Sequence, residues 1–346
     1  MAPVTYLEKL LDGQLEIDGR RPPTTTLDGW RSYVEEEPLD FQLLPEDAWK
    51  SLTGRERSRY DEARETYHSE LIVVETQIVS NVVKQGRLLV RINKREQSAR
   101  RGLIVNGPWA TGKSTAIKQL GLTHEYLVRS RFPDEDRIPV VYVTAPPKGS
   151  SKKLATMLAH FLGLPSLGPR ANETDIAVTV CDVLNAAKTD LVIIDEIHNM
   201  NLTTTGGEDM SDSLKYLTEN LAATFVYAGI NVESEGLFTG VRGQQIMARC
   251  VMERTAKIPY GTEWRATVKT MESALRLHHH EPESLLRQAK YLHQRTGGLI
   301  SSLSHLIRAS AITAVDDGSE QITRELMNTV KVDRYSEAAT KAEEAG

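Results

Sequence analysis

Cysteine is scarce in this chain: Cys181 and Cys250 are the only two among 346 residues. Two thiols cannot staple a fold of this length, so a disulfide framework is excluded and stability must come from a packed core. A chain that is 40% hydrophobic has the material for one. Aromatic residues are few, at 6%. A surplus of positive charge is also missing. With 42 basic against 47 acidic side chains the net charge is −5, which excludes a surface coated throughout with cations for nucleic acid and leaves such contact to a local patch. No apolar run approaches the ~20 residues of a membrane span, and no internal repeat is visible. The opening "MAPVTYLEKLLDG" has acids where a secretory leader needs a basic region and an apolar stretch, so a cytoplasmic protein with no membrane partner is expected.

What is present begins with "RGLIVNGPWATGKSTAIKQL", residues 101 to 120. Leu103, Ile104 and Val105 read as a buried strand, and the pattern through Ala116, Ile117 and Leu120 reads as a helix. Between them Gly107, Gly112, Lys113 and Ser114 stand in the order G-x-x-x-x-G-K-S. Glycines let backbone N–H groups turn inward around an anion, the lysine reaches the β and γ phosphates, and the serine hydroxyl meets Mg²⁺. The expected ATP cradle is Gly107, Pro108, Trp109, Ala110, Thr111, Gly112, Lys113, Ser114 and Thr115. Many such loops have a further glycine where this chain has Ala110 beside bulky Trp109.

A second apolar run, "LVIIDEIHNM", ends in two acids. Asp195 is placed to hold Mg²⁺ opposite Ser114, and Glu196, leaving the strand in another direction, to deprotonate an attacking water. The pair favours hydrolysis over transfer to a small-molecule acceptor. Asn231, at the tip of "FVYAGIN", is the candidate for positioning that water, an Asx turn being the plainer alternative. Thr144, ending "VVYVT", is a weaker candidate for holding Glu196 in an inactive rotamer. Arg249 and Arg254 lie on an expected helix; in a head-to-tail assembly Arg249 can enter a neighbour's site, whereas a surface salt bridge is its ordinary use.

Residues 1–54 mix prolines, a threonine run and "VEEEP" around Trp30 and Trp49, and read as an irregular arm whose tryptophans pack on the body. Tyr67, Leu71, Val74, Ile78 and Val82 predict one helix over 55–91, with a basic end that is either a solvated face or a nucleic-acid contact. Strands are expected around 103–105, 138–146, 190–198 and 223–231, with a further one at 256–260. This alternation predicts an α/β domain with a parallel sheet flanked by helices, spanning 55–261. A small α-helical domain follows over 262–334, then a flexible tail at 335–346. The three histidines of "LHHHEP" point apart and do not predict a metal site.

With these elements in order the chain resembles the AAA+ P-loop ATPases and, more narrowly, the TniB/TnsC group of transposition regulators. The resemblance runs from about 55 to 330 and rests on "YDEARETYHSE", "GPWATGKST", "VVYVTAPPKGSSKKLATMLAHFLGLP", "LVIIDEIHNM", "YAGIN" and "TGGLISSLSHLIRASAITAV". It implies an ATPase domain with a helical lid that forms a homo-oligomeric ring or helical filament on double-stranded DNA. Such an assembly marks a target and recruits a transposase, with a target-selection protein as a further partner. The resemblance also implies that Asp195, Glu196, Asn231 and Arg249 take the roles above. In "PKGSSKK", Lys148, Lys152 and Lys153 are the DNA-contact candidates, and the loop "NLTTTGGEDM" is the second choice. The arginine that such lids commonly carry after the glycine pair is missing from "GGLISSL", and Arg308 is the next one along. A helicase loader, an antiphage-defence ATPase, a P-loop kinase and a nucleotide-switched scaffold are the alternatives.

Overall fold

The computed structural model describes residues 21–39, 41–70, 73–147, 149–165, 172–200, 206–233 and 240–333, with backbone alone at 206–211 and 240–242. The helices before the first strand are α1 (Leu27–Glu35), α2 (Glu46–Lys50), α3 (Gly54–Ser69) and α4 (Gln77–Asn93). Strands and helices then alternate: β1 (Gly102–Asn106), α5 (Lys113–Arg131), β2 (Val140–Thr144), α6 (Ser151–Phe161), α7 (Glu173–Ala186), β3 (Leu191–Asp195), α8 (Gly206–Asn220), β4 (Thr224–Gly229), α9 (Gly240–Met247) and β5 (Cys250–Arg254). The rest is helical: α10 (Thr262–Ser273), α11 (Ser284–Arg287), α12 (Ala289–Thr296), α13 (Ile300–Asp316) and α14 (Arg324–Thr329). The chain divides into two compact units, an α/β unit of residues 21–36 and 77–256 and a helical unit that includes 37–76 and 257–333.

In the α/β unit the five strands form one parallel sheet in the order β2-β3-β4-β1-β5. Parallel strands need crossovers that cover both faces, so their residues are buried on both sides. Accordingly β1, β3 and β4 are buried throughout and β2 is buried up to Thr144. The fifth strand lies at 250–254, earlier than the 256–260 read from sequence, and carries Arg254 at its end rather than on a helix. It pairs only with β1 and is half-exposed, so it lacks the apolar run that marks its neighbours. Pro259 in the expected segment has no N–H to give a ladder.

The helix read over 55–91 is two helices. Thr53 and Glu56 form a capping box that starts α3, and Glu70 is extended at its end. Val74, beyond that end, packs into the core of the helical unit, whereas α4 packs on α5 and β1 in the α/β unit. Residues 21–54, read as irregular, contain α1 and α2, too short for a periodic signal. Thr26 caps α1 by accepting from the Gly29 N–H. Trp30 is fully buried, lies 5.7 Å from Tyr142 in a stacked pair, and donates its indole N–H to Glu125 at 2.9 Å.

Within the helical unit, α3 packs along α13. Arg64 and Glu320, both side chains fully buried, form a two-pronged ion pair with contacts of 2.5 and 2.7 Å. Glu320 also accepts the backbone N–H of His278 at 3.1 Å. The three adjacent histidines diverge: the His278 ring lies flat on Trp49 at 4.0 Å, and His280 faces Glu272 at 3.2 Å. Arg308 donates to the backbone oxygens of His68 and Ser69. Among the described residues no single helix is long and apolar enough to cross a membrane.

Burial, with Arg64 and Arg276 nearby, holds the buried His68 down to about 4. The unfolded chain takes up that proton near pH 6.5 and the folded chain does not, so His68 costs nothing above pH 6.5 and stability falls as the pH drops toward 4. From pH 7 to 5 this amounts to about 2 kcal/mol. His68→Gln is expected to lose about 2 kcal/mol less than the parent over that interval, read from urea midpoints at the two pH values.

Candidate phosphate-binding site

In a parallel sheet every strand delivers its last residue to the same edge, and here that edge carries the glycine loop, the acid pair and the Asn231 turn. The loop between β1 and α5 is closed by short-range constraints. Gly112 has φ +86°, a left-handed conformation that costs glycine nothing and lets the chain turn into α5. At Gly107 the backbone runs so close to Thr255 that an added Cβ would sit 2.1 Å from its hydroxyl and 2.3 Å from its carbonyl oxygen. Thr255, just past β5, also donates its N–H to the Asn106 carbonyl at 2.8 Å, and its hydroxyl meets that of Thr111 at 2.6 Å. Neither Thr255 nor Asn106 carries a signal of this in sequence; both act through contacts from distant parts of the chain.

Lys113 begins α5 and is 6% exposed. Its ammonium donates to the carbonyl oxygens of Gly107 at 2.9 Å and Pro108 at 2.6 Å. Burial lowers its pKa, while Glu196 and Asp195 act the other way. A buried cation hydrogen-bonded to neutral carbonyls of its own loop is stabilised by an incoming anion. The free N–H groups at the start of α5 add to that attraction. Ser114 follows directly in the first turn, and Thr115 after it. Trp109 is exposed and Ala110 is left-handed with φ +59°.

The two acids at the end of β3 go to different places. Asp195 is 3% exposed and accepts from the Tyr142 hydroxyl at 2.8 Å and from the Glu196 N–H at 2.8 Å. Burial first, then Asp195, raises the Tyr142 pKa far above the usual phenol value, so the hydroxyl keeps its proton and stays a donor. Glu196 turns out of the strand in a left-handed conformation, φ +55°, and is half-exposed. Its side chain stands beside His198, with 3.2 Å between Oε2 and Nε2. Thr144, the weaker candidate for holding Glu196, ends β2 and stands in register with Asp195.

Asn231 follows β4 in a left-handed turn, φ +50°. That turn is tied to the glycine loop by Gly107 N–H to Gly229 carbonyl, 3.3 Å, and by Val232 N–H to the Asn106 side chain, 3.2 Å. Hence the loop from Gly107 to Thr115, Asp195, Glu196 and Asn231 share one edge. Arg254, at the same edge, is exposed and paired with Glu233 at 2.5 Å.

Arg249 is elsewhere. It precedes β5, where its carbonyl accepts the Gly102 N–H at the start of β1, so it stands at the opposite edge of the sheet. A five-residue strand spans about 16 Å. Its guanidinium lies 3.8 Å from Glu219, and Arg249 lines a small pocket with Arg100, Arg101, Lys215 and Cys250. Lys152 and Lys153 are exposed in the first turn of α6; Lys148 lies outside the described residues. Gly149, before α6, bridges to Met200 after the acid pair, which sets the segments following β2 and β3 side by side. Residues 201–205 of the second candidate loop also lie outside the described residues.

The chemistry of this edge fits a nucleoside triphosphate with magnesium. Lys113 and the N–H groups at the start of α5 suit an anion, and the Ser114 hydroxyl and Asp195 carboxylate are hard oxygen donors of the kind Mg²⁺ prefers. Comparisons with known proteins agree with the architecture. The family model described as "Bacterial TniB protein" matches residues 75–249. No curated protein sequence matches. Among solved structures, the Aeropyrum pernix Orc1 protein in complex with DNA superimposes with TM-score 0.56 at 16% identity, over 76% of this chain and 66% of that one. The ADP form of the Aeropyrum pernix ORC2 protein gives 0.58 at 15% identity, over 76% and 70%. Cdc6p from Pyrobaculum aerophilum gives 0.50 at 12% identity, over 73% and 66%. The chain thus spans about two thirds of the length of these proteins. At such identities the likeness speaks to fold, and the fold is that of an AAA+ P-loop domain followed by a helical lid.

Proposed function

The chain belongs to the bacterial TniB protein family, and from that premise we propose that it is a magnesium-dependent ATPase that assembles on double-stranded DNA and regulates transposition. The observation that carries the reading is the division of labour at the end of β3: Asp195 locked by Tyr142, Glu196 turned toward solvent. ATP lies along the loop from Gly107 to Thr115, with Lys113 leaving its own carbonyls for the β and γ phosphates. Ser114 and Asp195 would hold magnesium, which when bound would offset charge on the phosphate oxygens. Glu196 takes the proton of the attacking water and Asn231 orients that water.

Arg249 serves a neighbour. It stands about a strand's length from its own phosphate loop, yet it belongs to a cluster of four cations at the other edge of the sheet. A head-to-tail homo-oligomer, ring or helical filament, brings that edge to the next subunit's triphosphate, where a planar guanidinium meets spreading charge. Lys148, Lys152 and Lys153 contact DNA phosphates. Lys152 and Lys153 are exposed in the first turn of α6, where ammonium groups can reach a phosphate backbone. Family membership supports a transposase as the partner recruited by the nucleotide-loaded assembly, with a target-selection protein beside it, in the cytoplasm.

Three outcomes are expected. Glu196→Gln binds ATP as the parent does and releases phosphate at least about 100-fold more slowly; unchanged release removes Glu196 from the chemistry. Subunits carrying Arg249→Ala mixed with subunits carrying Lys113→Ala recover activity that neither has alone, because mixing restores intact interfaces; absence of recovery at every ratio counts against a shared site. Duplex DNA of arbitrary sequence binds in the presence of a slowly hydrolysed ATP analogue, with affinity falling steeply as salt rises, and Lys152→Ala/Lys153→Ala lowers the slope by roughly one to two. Lack of binding at low salt argues for action on another protein.

A further inference from the structure

His198 lies two residues beyond Glu196, on the single 3₁₀ turn Ile197–Asn199. Its two ring nitrogens face two different parts of the site. Nδ1 accepts the backbone N–H of Ile230 at 3.2 Å, so the hydrogen of the neutral ring is on Nε2. Nε2 faces the Glu196 carboxylate at 3.2 Å. Ile230 is the residue immediately before Asn231.

The backbone around both ends is held in unusual conformations. Glu196 and Asn231 are both left-handed without being glycine, at φ +55° and +50°. Such residues are uncommon and persist only where their surroundings determine them. Glu196 is held there by its N–H, which donates to Asp195 Oδ1, by its carbonyl, which accepts from the Asn199 N–H, and by the buried Ile197 beside it. What this scaffold leaves undetermined is the direction of the half-exposed Glu196 side chain, and His198 is the group that faces it.

We propose that His198 is a positioning residue that couples the direction of the Glu196 carboxylate to the turn carrying Asn231. A displacement of the Gly229–Ile230 peptide, which leads into Asn231, as the site closes on the terminal phosphate, pulls on Nδ1. The rigid ring passes it to Nε2 and so to the carboxylate. The inference rests on the ATPase reading above and adds to it a line of communication within one subunit.

Two properties make it testable on the full-length chain. His198→Asn keeps an acceptor where Nδ1 stands but has no donor that reaches Glu196, so it preserves the tie to Ile230. His198→Ala removes both. Both variants are expected to lower kcat about tenfold or more, with ATP affinity within twofold of the parent and Tm unchanged for His198→Asn. Because His198 acts through Glu196, the loss should vanish in the Glu196→Gln background, where single-turnover phosphate release by Glu196→Gln/His198→Asn equals that of Glu196→Gln alone. A kcat for His198→Asn within twofold of the parent overturns the proposal, and so does the same fold-loss in the Glu196→Gln background. Should His198→Ala fail to fold, His198→Asn carries the test. The ATPase reading is tested separately by Glu196→Gln alone: if that variant is slow while His198→Asn is fast, only the coupling fails.

Discussion

Parallel pairing is the constraint from which the site follows. Five strands that point the same way put the ends of β1, β3, β4 and β5 along one edge, so the residues just after them become neighbours whatever their separation in sequence. Glu196, Asn231 and Thr255 are brought to the glycine loop by this rule, not by any local motif. The same rule sends Arg249 away, because a residue that precedes a strand belongs to the other edge. One chain therefore presents a phosphate loop at one edge of its sheet and a cluster of cations at the other.

Lys113 shows how the edge is held ready. An ammonium taken out of water is costly unless oxygen atoms surround it, and here the loop lends two of its own carbonyls. Asp195 is treated in the same way, with a buried phenol and a backbone N–H on its carboxylate. Around these charges the loop, the turn after β4 and the segment after β5 are bound together by Asn106, Gly107, Thr111 and Thr255. Two charged groups are thus fixed in advance, while the half-exposed Glu196 carboxylate stands beside His198.

Much of this was legible from the residues in order. Strands buried on both faces must be apolar throughout, which is why "LIV", "VVYV", "LVII" and "TFVYAG" stand out. The glycine loop is legible because its geometry is a local requirement. The edge strand "CVMER" is not, since one open side lets polar residues in and erases the run. The break between α3 and α4 escaped because Val74 continues the helical spacing while packing in a different core. Tyr142, His198 and Thr255 escaped for a single reason: each acts through a partner that is distant in sequence or identified only by the direction of a side chain. The placement of His198 in "DEIHNM", one turn beyond the acids, was the one available hint.

Trp30 carries a different lesson, about the order in which the chain is made. It belongs to the α/β unit, yet its hydrogen-bond partner Glu125 is 95 residues further on and Tyr142 comes later still. Between them the chain contributes residues 37–76 to the other unit. During synthesis α1 therefore leaves the ribosome well before the surface that will cover its indole exists, and the first folding steps must proceed with that ring exposed. Neither unit is a continuous stretch, so recombination that exchanges one of them for a relative's must cut this gene at more than one place.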